Sequence, residues 1–148
     1  MSLTKQLPSQ FIEFQINVKL KLSALWAAVM CCYIYGDYIQ IYVPEVLAKA
    51  MTVTSAKEGI QAEFFAVAFL MSIPSVMIFF SLVLKPTLNR WLNIIIPALF
   101  IVMLVLLNLK TTWIYYLYLT ALEILLSLAT IWYAWNWPKN YLIEKEHS

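Results

Sequence analysis

Apolar residues run almost unbroken through four stretches of this chain, 22–43, 64–84, 91–109 and 113–137, and polar residues gather in the short connections between them. A bilayer core about 30 Å thick needs roughly 20 helical residues to cross it, and each stretch meets that length. In lipid the backbone must satisfy its own hydrogen bonds, so continuous apolar runs of this length predict α-helices. A β-barrel would need alternation in shorter segments. The connections are too short for anything but antiparallel neighbours, so the expected fold is all-α: an integral membrane, antiparallel, up-down four-helix bundle in one domain.

The flanks are less uniform. Residues 1–21 are expected to form a cytoplasmic or interfacial segment, and 138–148 a cytoplasmic tail. Between Phe14 and Leu22 apolar and polar residues alternate, which is a strand signal. A lone strand has no partner, so the segment is read as extended or helical chain in the interface, with strand exchange in an oligomer as the alternative. Pro44 ends the first span, and an external loop follows. Ser55 and Glu58 fit a capping box that opens the second helix. Lys85-Pro86 closes that helix, Asn89 is expected to cap the third, and Thr112 the fourth.

Charge sets the expected orientation. With both termini on one side, that side carries Lys5, Lys19, Lys21, Lys85, Arg90, Lys139 and Lys145, and the other carries Lys49, Lys57 and Lys110. Basic residues favour the cytoplasm, so both termini are placed there, in a bacterial inner (plasma) membrane. No cleavable signal peptide is apparent. The net charge of +2 is too small to suggest a nucleic-acid surface.

Composition narrows the chemistry. Hydrophobic residues make up 63% of the chain and charged residues 12%, too apolar for a soluble domain of this size. The one histidine is His147, in the tail, and there are two glycines. Haem, zinc, phosphate-loop and Ser-His-Asp chemistry are therefore set aside, and no metal or cofactor is expected. Cys31 and Cys32 are adjacent on one helix, point about 100° apart, and are expected to be buried apolar side chains rather than a disulfide.

The exception to the apolar pattern is Glu123. Trp113 and Trp132 mark the two ends of the last span, about 28 Å apart at 1.5 Å per residue, and Glu123 falls midway. Tyr116, Thr120, Glu123, Ser127 and Thr130 are spaced by three or four and share one helix face. Such a stripe points inward, either as hydrogen-bonding glue between helices or as the wall of a polar cavity with an ionisable group. Spacing alone does not choose between them. With no Lys or Arg inside a span, the Glu123 carboxyl is expected to hold its proton at neutral pH and to donate a hydrogen bond across the bundle. Asp37 is expected to be a second buried acid near the outer third of the first helix, with Tyr33 on its face and Glu63 within reach. Asn93 is the further polar candidate in the third span. Pro74 and Pro97 interrupt the second and third spans, with Ser72 and Ser75 placed to repair the break at Pro74. Ala68, Ser72 and Ser75, and Ala24 and Ala28, form small-residue faces suited to close helix contact.

Several segments together resemble a family of small bacterial four-span membrane proteins of unassigned function, and more loosely the DoxX-like group. They are 21–26 (Lys-Leu-Ser-Ala-Leu-Trp), 33–37 (Tyr-Ile-Tyr-Gly-Asp), 73–77 (Ile-Pro-Ser-Val-Met), 89–94 (Asn-Arg-Trp-Leu-Asn-Ile) and the last helix from Tyr116 through Glu123 to Trp137. The resemblance implies a fold and a membrane location, and no activity. The resemblance implies a departure at Ser72, where relatives often carry an acid.

The leading functional expectation is a binding or transport module for a small lipophilic or cationic molecule, built on Glu123, Asp37, Tyr116, Thr120, Ser127, Thr130, Asn93 and Tyr33. Four spans enclose little volume, so transport would require a homodimer or higher homo-oligomer. The alternatives are an accessory subunit of a quinone-linked membrane complex, which only the DoxX-like resemblance supports, and a membrane enzyme acting on a lipid or isoprenoid with Glu123 as general acid.

Overall fold

The computed structural model describes residues 15–54, 60–109 and 113–138. Among these, the regular elements are five helices: α1 (Val18–Gln40), α2 (Pro44–Thr54), α3 (Ile60–Val83), α4 (Pro86–Asn108) and α5 (Ile114–Trp135). Four of them, α1, α3, α4 and α5, are long and apolar enough to cross a membrane.

The alternating segment resolves as helix from Val18 onward. Asn17 caps it, its side-chain oxygen accepting from the Lys19 amide at 2.9 Å, and the helix beyond its first turn satisfies internally the backbone groups that a lone strand would leave open. Leu22, Trp26, Val29, Tyr33 and Gly36 are buried at spacings of four, three, four and three, the stripe of a helix packed on one side.

The expected external loop instead contains a helix. Pro44 does not merely stop α1; it opens α2, because proline's fixed φ suits a first helical turn and its missing N–H is not needed there. Ser55 and Glu58 lie outside the described residues, as does Thr112. The Asn89 cap is also corrected. Lys85 is the N-cap of α4 and Pro86 sits in its first turn, so Asn89 lies inside the helix and is completely buried.

Helix α1 packs between α3 and α5, and α4 packs along α5, while α3 and α4 touch only marginally. Specific contacts fix directions. Ser23 Oγ donates to the Ile78 carbonyl at 2.9 Å and Ser75 Oγ lies 3.4 Å from Met30 Sδ, which makes α1 and α3 antiparallel. Gly36 approaches Leu119, and Lys21 lies 5.2 Å from the Tyr133 ring, which does the same for α1 and α5. At the centre Val29, Tyr33, Phe100 and Leu104 form the core, with Tyr33 and Phe100 stacked 6.1 Å apart.

The small-residue faces are only partly in contact within the chain. Ala68, Ser72, Ser75 and Ala24 are exposed and Ala28 is half-buried, while Ser75 still reaches Met30 on α1. Ser72 Oγ donates to the Phe69 carbonyl at 2.6 Å and Ser75 to Met30, so neither flanking hydroxyl is used on the carbonyl that Pro74 frees. Cys31 is exposed and Cys32 half-buried, both free thiols. They flank the buried stripe rather than lying on it, and an apolar thiol at a helix surface needs no partner in lipid.

Candidate functional site

Two polar clusters occupy the interior, and they differ in how well their groups are satisfied. The first joins three helices. Trp26 Nε1 on α1 donates to Asn93 Oδ1 on α4 at 2.7 Å, and Ser81 Oγ on α3 reaches the same oxygen at 3.4 Å. Asn93 Nδ2 donates back to the Asn89 carbonyl and to Asn89 Oδ1 at 2.9 and 2.7 Å. Asn89 Nδ2 closes the set on the Ser81 carbonyl at 2.6 Å. Ser81, Asn89 and Asn93 are all fully buried. Both asparagine amides are used on their donor and acceptor sides, so this cluster holds helices and offers no free group to a ligand. Asn93 is thus placed apart from the glutamate. The sequence signal that would have found the rest is the pair Asn89 and Asn93, one turn apart in an apolar helix, where lipid-facing amides are costly.

The second cluster lies between α1 and α5. Thr120, Glu123, Ser127 and Thr130 are all buried, with Glu123 only 5% exposed, and Tyr116 is half-buried above them. The inward face read from their spacing is therefore where the structure puts it. Yet none of the hydrogen bonds that cross between helices involves this stripe among the described residues. Thr130 Oγ1 bonds within its own helix, to the Leu126 carbonyl at 2.9 Å. The interhelical bonds come instead from Trp26, Asn89, Asn93, Ser81, Ser23, Ser75, Lys19 and Arg90.

Glu123 makes no hydrogen bond among the described residues. It lies within electrostatic reach of Tyr33 and Cys32 on α1 and of Tyr116 on its own helix. Tyr33 is 7% exposed, and its hydroxyl is buried with no hydrogen-bond partner. A buried hydroxyl left open costs about 1–3 kcal/mol. Tyr33 comes from the α1 stripe and Glu123 from the α5 stripe, and the two faces meet where Gly36 lies opposite Leu119.

Asp37 corrects an expectation. It is exposed rather than buried. The buried stripe of α1 passes through Tyr33 and Gly36, which leaves the next residue at the stripe's edge. Its electrostatic neighbours include Glu123 and Tyr116 on α5. Since Gly36 sits opposite Leu119, Asp37 and Glu123 are about 7.5 Å apart along the axis, by the rise per residue. The arrangement is a carboxyl at the rim, a carboxyl inside, and tyrosines at both levels. No three His, Cys, Asp or Glu side chains converge as a metal-ligand set among the described residues.

No curated protein and no solved structure matches this chain. A family profile does, over residues 9–144, which takes in all four long helices and both polar clusters. The chain belongs to the family of unknown function DUF6326.

Proposed function

We propose that this is a membrane protein that binds a small lipophilic cation between α1 and α5, with the Glu123 carboxylate as its counter-charge. The observation that carries this reading is a pair of open groups: Glu123 is 5% exposed and makes no hydrogen bond among the described residues, and the Tyr33 hydroxyl is buried without a partner, while the bonds that join helices lie elsewhere. A buried carboxyl with no basic partner is costly as an anion and is stable as the neutral acid or as the partner of a bound cation. Exchange of a proton for the cation follows from those two states. Asp37 at the rim supplies a first attraction, and the faces of Tyr33, Phe100 and Tyr116 suit a cation that is also apolar. Passage across a bacterial plasma membrane, with both termini cytoplasmic, would take a second copy of the chain to enclose enough volume.

The test is binding of tetraphenylphosphonium to the purified protein by calorimetry. Glu123→Gln is expected to lose measurable binding while its helical circular dichroism and elution volume stay unchanged. Binding to the native protein should weaken as pH falls, by up to about tenfold per unit once the carboxyl is protonated, because the neutral acid offers no counter-charge. Equal binding by native protein and Glu123→Gln would refute the reading.

A further inference from the structure

A second site lies at the other end of the molecule, where the start of α1, the start of α4 and the end of α5 meet around a cleft of about 750 Å³. That volume is in the range of small-ligand sites. Its polar wall carries Lys19, Arg90, Asn17 and Thr87, and Trp91 and Trp137 form much of the apolar wall.

The two cations are held in place without being neutralised. Lys19 Nζ donates to the Leu82 and Leu84 carbonyls at 3.1 and 2.8 Å, where it satisfies the open end of α3. An ammonium has three donors, so one remains. The Arg90 guanidinium lies 5.8 Å from the Trp135 ring and makes one long bond, 3.4 Å from Nη2 to the Trp135 carbonyl. Its Nε is buried without a partner. No carboxylate pairs with either residue among the described residues. The starts of α1 and α4 add positive helix ends to the same cleft. Two anchored cations with unused donors, and no acid paired with them among the described residues, attract an anion, and a planar guanidinium suits a two-oxygen acceptor such as phosphate. The tryptophans place the cleft at the depth of lipid headgroups, and its half-apolar wall suits a glycerol backbone better than a fully hydrated ion.

We propose that this cleft binds a phosphate ester, presented by the headgroup of an anionic membrane lipid, with Arg90 and Lys19 as its ligands. The site is independent of Glu123 and stands or falls separately from it. The experiment is native mass spectrometry of the full chain in detergent, titrated with phosphatidylglycerol and, separately, with inorganic phosphate. One retained phosphatidylglycerol is expected, with affinity roughly tenfold lower in Arg90→Gln and in Lys19→Gln, the scale of one lost charge-assisted bond. Arg90→Lys keeps the charge and loses the fork, so it should fall between, which guards against a glutamine variant that fails to fold. Lys85→Gln, outside the cleft, should bind as the native chain does. Retention of inorganic phosphate with the same Arg90 dependence, and no retention of lipid, would keep the phosphate site and overturn the lipid source. Lipid retention that is equal in all variants, or no retention of either probe, would overturn the proposal.

Discussion

At the scale of single residues, the interior separates side chains that hold the fold from side chains that do not. Asn93 belongs to the first kind. Its removal would strand the Trp26 indole N–H and the Asn89 amide in a dry interior, so Asn93→Ala is expected to lower stability by about 2 kcal/mol. Ser127 is equally buried yet has no bond to another helix among the described residues. Ser127→Ala should therefore cost less than about 0.5 kcal/mol, below the average of interhelical hydrogen bonds in membranes. Reversible unfolding in mixed micelles measures both, and equal losses would show that the stripe does bind helices together. The sequence made Glu123, Thr120, Ser127 and Thr130 legible because a three-and-four spacing survives folding unchanged. It misplaced Asn89, because an asparagine after Lys-Pro looks like a cap as much as a core residue, and only the tight Leu84-Lys85 turn decides between them. It placed Asp37 inside, because a carboxylate within a span suggests burial, whereas the neighbouring Gly36 is the residue that faces α5.

At the scale of elements, α1 meets α5 at Gly36, opposite Leu119. A Cβ built there would meet Leu119 Cδ1 at 3.6 Å, ordinary van der Waals distance, so the glycine is not required by space for a methyl group. Alanine also recovers the helix propensity that glycine lacks, up to about 1 kcal/mol. Gly36→Ala is expected to raise the thermal midpoint modestly. Gly36→Leu must push the helices apart and should destabilise by about 1–3 kcal/mol, the usual cost of overpacking. If Gly36→Ala instead destabilises, the helices approach more closely than the 3.6 Å contact implies. Helices α3 and α4 show the opposite design. They share a two-residue turn and little side-chain packing, so the bonds from Asn89 and Asn93 to Ser81 do most of the joining at that end. Farther along, an apolar groove of about 260 Å³ between Ile73, Val76, Met77, Leu92 and Ile96 stays open. Hydropathy shows that both helices exist, though each begins four or five residues before its apolar run, and it says nothing of how tightly two apolar surfaces meet, since lipid covers either as well as a neighbour does. Helix α2 is hidden for a related reason: at 11 residues it is too short to read as a span, and the sequence suggests a loop there.

At the scale of the whole molecule, the placement of charge makes an orientation testable. Lys19, Lys21, Lys85 and Arg90 gather at one end of the described helices, and Lys19 and Arg90 are fixed there by bonds to the ends of α3 and α5. Fixed cations beside helix ends resist translocation across a membrane, which is the physical basis of the bias of basic residues toward the cytoplasm. Both termini are therefore expected on the cytoplasmic side, with Lys49, Lys57 and Lys110 outside. A fluorescent protein fused after residue 148 should be bright, and alkaline phosphatase fused after Lys110 should be active, since the first folds in the cytoplasm and the second needs an oxidising compartment. Replacing Lys19, Lys21, Lys85 and Arg90 together by glutamine removes most of the asymmetry, leaving Lys5, Lys139 and Lys145 against three on the other side. Mixed orientations should then appear, with both reporters active in part of the population. An unchanged orientation in that variant would mean that the short connections and helix order, rather than these four cations, set the direction of insertion. The cleft between α1, α4 and α5 would then need another reason to sit at a cytoplasmic surface rich in anionic lipid.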